Sequence, residues 1–197
     1  MPKNIRQKLI TRKTNETDIT LELNLDGSGT HSINTGIGFF DHMLELFACH
    51  SGFDLKVKCM GDLKIDGHHS VEDIGIVLGR ALSDIVADKK GIARYGCSYV
   101  PMDESLARST IDFSGRAFLV FKADLSGKLG DFDLELVEEF FRAVAANAGL
   151  TLHIELYYGT NNHHKVEAIF KAFARSLRTA VTVVGDGTKV LSSKGVL

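Results

Sequence analysis

HHSVEDIGIVLGRAL, at residues 68–82, returns in altered form as HHKVEAIFKAFARSL, at residues 163–177. The two stretches align without a gap and are identical at seven of fifteen positions. They lie 95 residues apart in a chain of 197, which is close to half its length. Similarity at one fixed, long separation indicates that the chain is an internal duplication.

The similarity continues upstream as a pattern. FFDHMLELFACHSGFDLKV at 39–57 aligns with LVEEFFRAVAANAGLTLHI at 136–154, which pairs His42 with Glu139. In both segments an apolar-periodic helix ends at a Gly and a strand-like run follows. Each half is therefore predicted to be a β-β-α-β-α unit. We expect the halves, residues 1–92 and 93–197, to form a single α+β domain with helices on one face of each sheet.

Helices are predicted near residues 38–50, 69–87, 133–148 and 162–183 from the same periodicity. The turn DGSG at 26–29 predicts a hairpin between strands at 18–25 and 30–35.

Each of the two repeated helices has histidine and glutamate side chains on one face and apolar side chains on the other. At about 100° per residue, His68, His69 and Glu72 share one face, as do His163, His164 and Glu167 in the second copy. The opposite faces are expected to pack on a sheet; they consist of Val71, Ile74, Leu78, Leu82 and Ile85 in the first copy, and Val166, Ile169, Phe170, Phe173 and Leu177 in the second. Both His-His-x-x-Glu sets are thus expected to lie off the core.

Two such sets with matched polarity indicate a divalent-metal site. Imidazole and carboxylate donors without thiolate suit Mn, Fe, Co or Zn. Adjacent histidines diverge by about 100° and are poorly placed to chelate one ion. A dinuclear arrangement uses them better, with each motif serving both metals and other halves or subunits completing the shells. The spacing differs from the HExxH of zinc proteases.

Composition excludes several other classes. There are 23 Lys and Arg against 25 Asp and Glu, a net charge of −2, which argues against nucleic-acid and membrane-surface binding. No apolar run reaches the roughly 20 residues of a membrane span, and the polar N-terminal segment has no apolar signal region, so we expect a cytoplasmic protein. Three cysteines without CxxC spacing imply neither a disulfide framework nor a zinc ribbon.

The motifs GIGFFDHMLELFACHSG, HHSVEDIGI, RYGCSYVPMDESLAR, DFSGR, HHKVEAIFKAFARSLR and SSKGVL resemble the imidazoleglycerol-phosphate dehydratase family over essentially the whole chain. The resemblance implies a duplicated ribosomal-protein-S5-domain-2-like fold. It also implies two Mn²⁺ ions per active site and a 24-subunit shell built from trimers, with active sites at subunit interfaces. The chain has no room for the added phosphatase domain of some relatives, so we expect the monofunctional form.

The resemblance implies seven metal ligands: His42, His68, His69, Glu72, His163, His164 and Glu167. Many relatives carry an eighth ligand, a histidine, where this chain has Glu139. A carboxylate is also a competent ligand for manganese. Glu139 is therefore either a ligand or a solvated helix carboxylate.

The implied reaction is loss of water from D-erythro-imidazole glycerol phosphate, which gives imidazole acetol phosphate. The resemblance makes Glu16 the acid/base group that exchanges protons with the substrate carbons, and it assigns catalytic roles to Glu72 and Glu167. The implied substrate-contacting residues are Glu16, His42, His50, His68, Glu72, Arg94, Arg116, His163, Lys171, Ser193 and Lys194.

Three other functions stay open from the residues alone. An RNA-binding module of S5-like fold is disfavoured by the net charge and by the lack of a basic and aromatic stripe. A dinuclear-metal phosphoester hydrolase would release inorganic phosphate, whereas a dehydratase leaves the phosphate on its product. A metal-storage protein would bind metal without turnover.

Overall fold

A computed structural model describes residues 6–195, so the first five residues and Val196 and Leu197, which end the SSKGVL motif, lie outside the described part of the chain. The elements in chain order are β1 (Gln7–Lys13), β2 (Thr17–Asn24), β3 (His31–Asn34), α1 (Gly38–Ser51), β4 (Asp54–Gly61), α2 (His68–Val86), β5 (Tyr95–Met102), β6 (Ser105–Asp112), β7 (Phe118–Lys122), β8 (Lys128–Leu129), β9 (Phe132–Asp133), α3 (Leu136–Ala148), β10 (Thr151–Tyr158) and α4 (Asn162–Ala180).

The two halves form four-stranded sheets of the same topology. The strand order is β1-β2-β4-β3 in the first sheet and β5-β6-β10-β7 in the second. In each sheet the first three strands pair antiparallel, and the last strand runs parallel to its neighbour. The matching order confirms the duplicated α+β fold.

Both halves contain one sheet strand more than the predicted β-β-α-β-α unit, because three strands precede the first helix of each half, and the short strands β8 and β9 also precede α3. In the first half the additional strand is β1, an edge strand with the sequence QKLITRK. Its residues alternate between exposed and half-buried, and Leu9 is 59% exposed. Because neither face of β1 is fully buried, its sequence lacks the apolar alternation that identifies a strand.

The DGSG turn does not close a hairpin, so that prediction was wrong. β2 and β3 lie on opposite sides of β4, and β3 is parallel to β4. The turn is instead tied to the start of β4, because the backbone N–H groups of Ser28 and Thr30 donate to Asp54 Oδ1 at 2.8 and 3.0 Å. The hairpins that do form in the two sheets are β1–β2 and β5–β6.

The helices pack between the two sheets and build the core. α1 and α2 cover the first sheet, α3 and α4 cover the second, and the halves meet through α1–α4 and α2–α3 contacts. The predicted apolar faces of α2 and α4 are buried, apart from half-buried Ile85. Within residues 6–195, no helix has the length and apolar composition to span a membrane.

The helix N-termini converge at one end of the molecule. The Phe39 ring of α1 lies 5.3 Å from the His163 ring of α4, centroid to centroid. A Cβ on Gly67, just before α2, would lie 2.9 Å from Ile37 Cδ1 and 3.5 Å from Leu136 Cδ1, next to the starts of α1 and α3. Both His-His-x-x-Glu sets begin at this end.

Candidate metal centre

Side chains from α1 and α4 meet at the convergent end. Glu167 Oε2 lies 3.2 Å from His163 Nε2 and 3.8 Å from His42 Nε2. One ligand atom from each of the three residues lies within 4.8 Å of the others. Among residues 6–195 this is the one group of three or more ligand-type side chains that are so close together. The packing of α1 on α4 brings it about, because His42 and His163 are far apart in sequence.

Glu167 is more buried than expected. The prediction placed both glutamates off the core, yet the Glu167 side chain is 9% exposed, whereas the Glu72 side chain is 47% exposed. The contact of α1 with α4 covers Glu167. Burial raises the pKa of Glu167, but the ammonium of Lys171 and the hydrogen bond from His163 outweigh it, so the pKa lies below its ordinary value.

Lys171, which was predicted to contact the substrate, is largely buried and ion-paired with Glu167 Oε1. His50 lies on α1 and is half-buried in a cavity of about 450 Å³ that Arg175 and Arg178 also line. Burial, followed by the positive charges of Lys171 and Arg175, lowers the pKa of His50.

The His-His-x-x-Glu residues of the first half are more exposed to solvent and lie further apart. His68 Nε2 lies 3.9 Å from Glu72 Oε2, and both side chains are nearly half exposed. His69 Nδ1 lies 3.0 Å from Asp62 Oδ2, and His69 Nε2 lies 3.6 Å from Glu16 Oε1. Glu16, for which the residues alone provided no signal, thus lies beside one of the predicted ligands.

Glu139 lies on the first turn of α3, with Oε2 3.5 Å from Arg142 Nε and its side chain 34% exposed. It does not belong to the close group of His42, His163 and Glu167. Its role stays a prediction.

His164 is within hydrogen-bond distance of a carboxylate that was not predicted from the sequence. Its Nδ1 lies 2.6 Å from Glu104 Oε2, and its Nε2 lies 3.8 Å from Asp103 Oδ2. Asp62 was missed in the same way as the partner of His69. Extension of the internal alignment into the strands would have indicated Glu104, because Glu104-Ser105 and Glu16-Thr17 occupy equivalent places before the second strand of each half.

Four other residues that were predicted to contact the substrate lie elsewhere. Arg94 and Ser193 line a cavity of about 810 Å³, and exposed Lys194 follows in the chain. The Arg94 guanidinium donates to Asp112 Oδ1 at 2.6 Å and to the Leu191 carbonyl at 2.7 Å. Asp112 raises the pKa of Arg94. Arg116 is exposed just before β7.

The His42, His163 and Glu167 group fits a divalent cation. Donor atoms that bind one ion through bonds of about 2.1 Å lie about 3 Å apart when they are adjacent. The observed separations of 3.2 and 3.8 Å need only small side-chain adjustments to match. Two imidazoles and a carboxylate, with no sulfur, suit Mn(II), Fe(II) or Zn(II).

Fold and site together define an internally duplicated α+β protein with a histidine and carboxylate centre suited to a divalent metal. The family model of imidazoleglycerol-phosphate dehydratase matches residues 35–177. The chain belongs to the imidazoleglycerol-phosphate dehydratase family, whose members are hydro-lyases.

Curated relatives and solved structures agree with this assignment. The imidazoleglycerol-phosphate dehydratase of Acetivibrio thermocellus is 58% identical over 95% of this chain and 97% of its own length. That of Clostridium acetobutylicum is 56% identical over 96% and 97%. The crystal structure of the Staphylococcus aureus enzyme matches 90% of this chain and 99% of its own, with a TM-score of 0.82 and 49% identity. The Pyrococcus furiosus structure matches 95% and 100%, with a TM-score of 0.83 and 34% identity.

Proposed function

We propose that this chain converts D-erythro-imidazole glycerol phosphate to imidazole acetol phosphate and water in histidine biosynthesis, with two Mn²⁺ ions per active site. The observation that carries the proposal is the close group of His42, His163 and Glu167 in a chain of this family. The residues that would hold the ions are His42, His68, His69, Glu72, Glu139, His163, His164 and Glu167.

Two cations held by these residues would stabilise the substrate ring as an imidazolate by acting as Lewis acids, which would compensate for the lack of a carbonyl beside the carbon that loses its proton. Glu16 is suited to move that proton. Its side chain is 52% exposed, and its Oε1 lies 3.6 Å from His69 Nε2, so it can reach a molecule held at the ligand set. A general acid or base has to come within hydrogen-bond reach of the proton that it transfers.

The length of α4 supports an active site shared between subunits. His163 lies at the start of α4, and the Arg94 N–H donates to the carbonyl of Ala180 at its end. At 1.5 Å per residue, these points are about 25 Å apart along the helix axis. An imidazole glycerol phosphate is far shorter. Arg94 and Ser193 of one chain would therefore bind the phosphate of a substrate held at another chain's metal ligands.

This separation favours a closed homo-oligomer, and we propose the 24-subunit shell built from trimers. Arg116 and Lys194 would bind the substrate phosphate together with Arg94 and Ser193. His50 and Lys171 would contact the substrate from the chain that supplies the metal ligands. The proposed partner is a phosphorylated imidazole, with neither nucleic acid nor membrane. We further propose a cytoplasmic location, and the division of the domain into halves at 1–92 and 93–197.

Turnover by the purified full-length chain tests the function. The chain is stripped with a chelator and assayed with the imidazole glycerol phosphate, with and without added Mn²⁺. We expect no turnover without metal and formation of imidazole acetol phosphate after Mn²⁺ is restored. His163→Ala should lose the activity, whereas His31→Asn, a change at an exposed histidine on β3, should keep it.

Each rival function has its own outcome in this assay. Release of inorganic phosphate would indicate a hydrolase, and Mn²⁺ binding without conversion would indicate metal storage. Full turnover by chain shown to be free of metal would contradict the dinuclear proposal.

A further inference from the structure

The hairpins β1–β2 and β5–β6 present two equivalent glutamates to the metal-bearing end. Glu16 precedes Thr17, the first residue of β2, and Glu104 precedes Ser105, the first residue of β6. Thr17 pairs with Gly61 at the end of β4, and a Cβ on Gly159, just after β10, would lie 2.2 Å from Ser105 Oγ. The duplication therefore relates Glu16 to Glu104.

The two glutamates differ in how they are held. Glu104 Oε1 accepts from Thr160 N at 3.0 Å, from Asn161 N at 2.8 Å and from Thr160 Oγ1 at 3.2 Å. Its other oxygen accepts from His164 Nδ1 at 2.6 Å. Ser105 Oγ also donates to Oε1 at 3.3 Å, so five donors hold the Glu104 carboxylate in place. Glu16 faces the Nε2 side of His69 instead, at 3.6 Å, and about half of its side chain is exposed.

The first half obtains the same Nδ1 contact from a different position. His69 Nδ1 lies 3.0 Å from Oδ2 of Asp62, which follows Gly61 at the end of β4. The corresponding residue after Gly159 is Thr160, which has no carboxylate and donates to Glu104 instead. In both halves, a carboxylate therefore lies within hydrogen-bond distance of Nδ1 of the second histidine in the His-His pair.

A carboxylate can only accept hydrogen bonds, so a neutral imidazole beside it keeps its proton on Nδ1. The Nε2 lone pair then remains available to a metal. We propose that Asp62 and Glu104 are positioning residues that fix His69 and His164 in the Nδ1–H tautomer. Of the two equivalent glutamates, Glu104 therefore positions His164, and Glu16 alone transfers protons to and from the substrate. The inference rests on the proposed function, because it takes both histidines as metal ligands.

Glu104→Gln is the decisive variant because it keeps the size and shape of the side chain. Its amide oxygen would stay with the backbone N–H groups of Thr160 and Asn161, so its NH₂ would face His164 Nδ1. A donor at that place forces the proton to Nε2, the metal-binding nitrogen.

The tautomer is measured by ¹⁵N NMR of the histidine-labelled, metal-free full chain at pH about 9, where imidazoles are neutral. The His164 signals are identified by their loss in His164→Gln. We expect the proton on Nδ1 in the wild type and on Nε2 in Glu104→Gln. Titration with Mn²⁺ alone should show an affinity about 10- to 100-fold weaker at one site. Glu22→Gln, which removes a carboxylate paired with Lys56 on β4, is the charge control and should change neither readout.

A second variant tests the equivalence of the two arrangements. Glu104→Ala should lose the Nδ1 preference, and the addition of Thr160→Asp, at the position that corresponds to Asp62, should restore it. Absence of restoration would overturn the equivalence of Asp62 and Glu104.

An unchanged His164 tautomer in Glu104→Gln would overturn the positioning role, whether or not Mn²⁺ binding weakened. If wild-type chain bound no Mn²⁺ and formed no imidazole acetol phosphate, the proposed function would fail instead. The two failures are therefore distinguishable.

Discussion

Glu139→Ala probes the position at which this chain departs from the histidine of many family members. α3 packs on α2 as α1 packs on α4, and the internal alignment pairs Glu139 with His42. We therefore expect Glu139 to bind a metal ion together with His68 and Glu72, as His42 would with His163 and Glu167. If so, the variant should lose one of two Mn²⁺ sites.

The structure sets the size of the effect that a merely structural role would have. Glu139 pairs with Arg142 at 3.5 Å, with side chains 34% and 55% exposed. Such an i,i+3 pair contributes about 0.2–0.5 kcal/mol. The charge on the first turn of α3 adds about 0.3–1 kcal/mol through the helix dipole. A loss of about 1 kcal/mol lowers Tm by about 2–4 °C in a chain of this size.

Loss of a ligand should have a much larger effect on metal binding. Removal of an outer-shell partner typically weakens metal affinity by about 10- to 100-fold, so loss of a direct ligand should reach the order of 100-fold or more at one site. The assay is a Mn²⁺ titration of chelator-treated chain, followed by calorimetry and by the EPR signal of free Mn²⁺. Glu139→His should retain much of the affinity.

Glu138→Ala is the matched control. Glu138 is also on the first turn of α3, and its Oε1 lies 2.5 Å from Arg142 Nη2. It should show the same small change in Tm as Glu139→Ala but bind two Mn²⁺ ions normally. Two Mn²⁺ ions bound by Glu139→Ala with unchanged affinity would refute the ligand assignment and leave Glu139 as a solvated carboxylate.

The other predictions concern activity, assembly and stability. His69→Ala or His164→Ala should lower kcat by orders of magnitude while circular dichroism stays unchanged, since neither side chain is in the core; a near-normal kcat would remove that residue from the ligand set. Light scattering should find a large closed oligomer that forms only with metal, and a fully active monomer would contradict the shared active site. Asp73→Ala should destabilise the metal-free chain by about 2–3 kcal/mol, because it leaves the guanidinium of Arg12 and the hydroxyl of Thr17, now bound to the Asp73 carboxylate, without their acceptor; a Tm within 1 °C of wild type in calorimetry would be the contrary result.

The repeated helices could be predicted from sequence because their information is local. The helix predicted near 69–87 is observed at His68–Val86, and its predicted apolar face packs on the first sheet. β1 was not predicted, because an exposed edge strand has no buried face and its sequence therefore need not alternate between apolar and polar residues. The position of β3 beside β4, rather than β2, depends on pairing between distant segments, which a turn sequence does not encode.

The internal duplication and the set of side chains on each helix face follow from the amino-acid sequence alone, because a helix turns through a constant angle per residue. Which helix faces meet depends on how the helices and sheets pack together. The packing of α1 on α4 brings His42 to Glu167 and buries that carboxylate, although it belongs to the polar face. The hairpin turns and strand ends bring Glu104 and Asp62 to Nδ1 of His164 and His69. These contacts join residues from separate elements, so their geometry arises only when the sheets and helices pack.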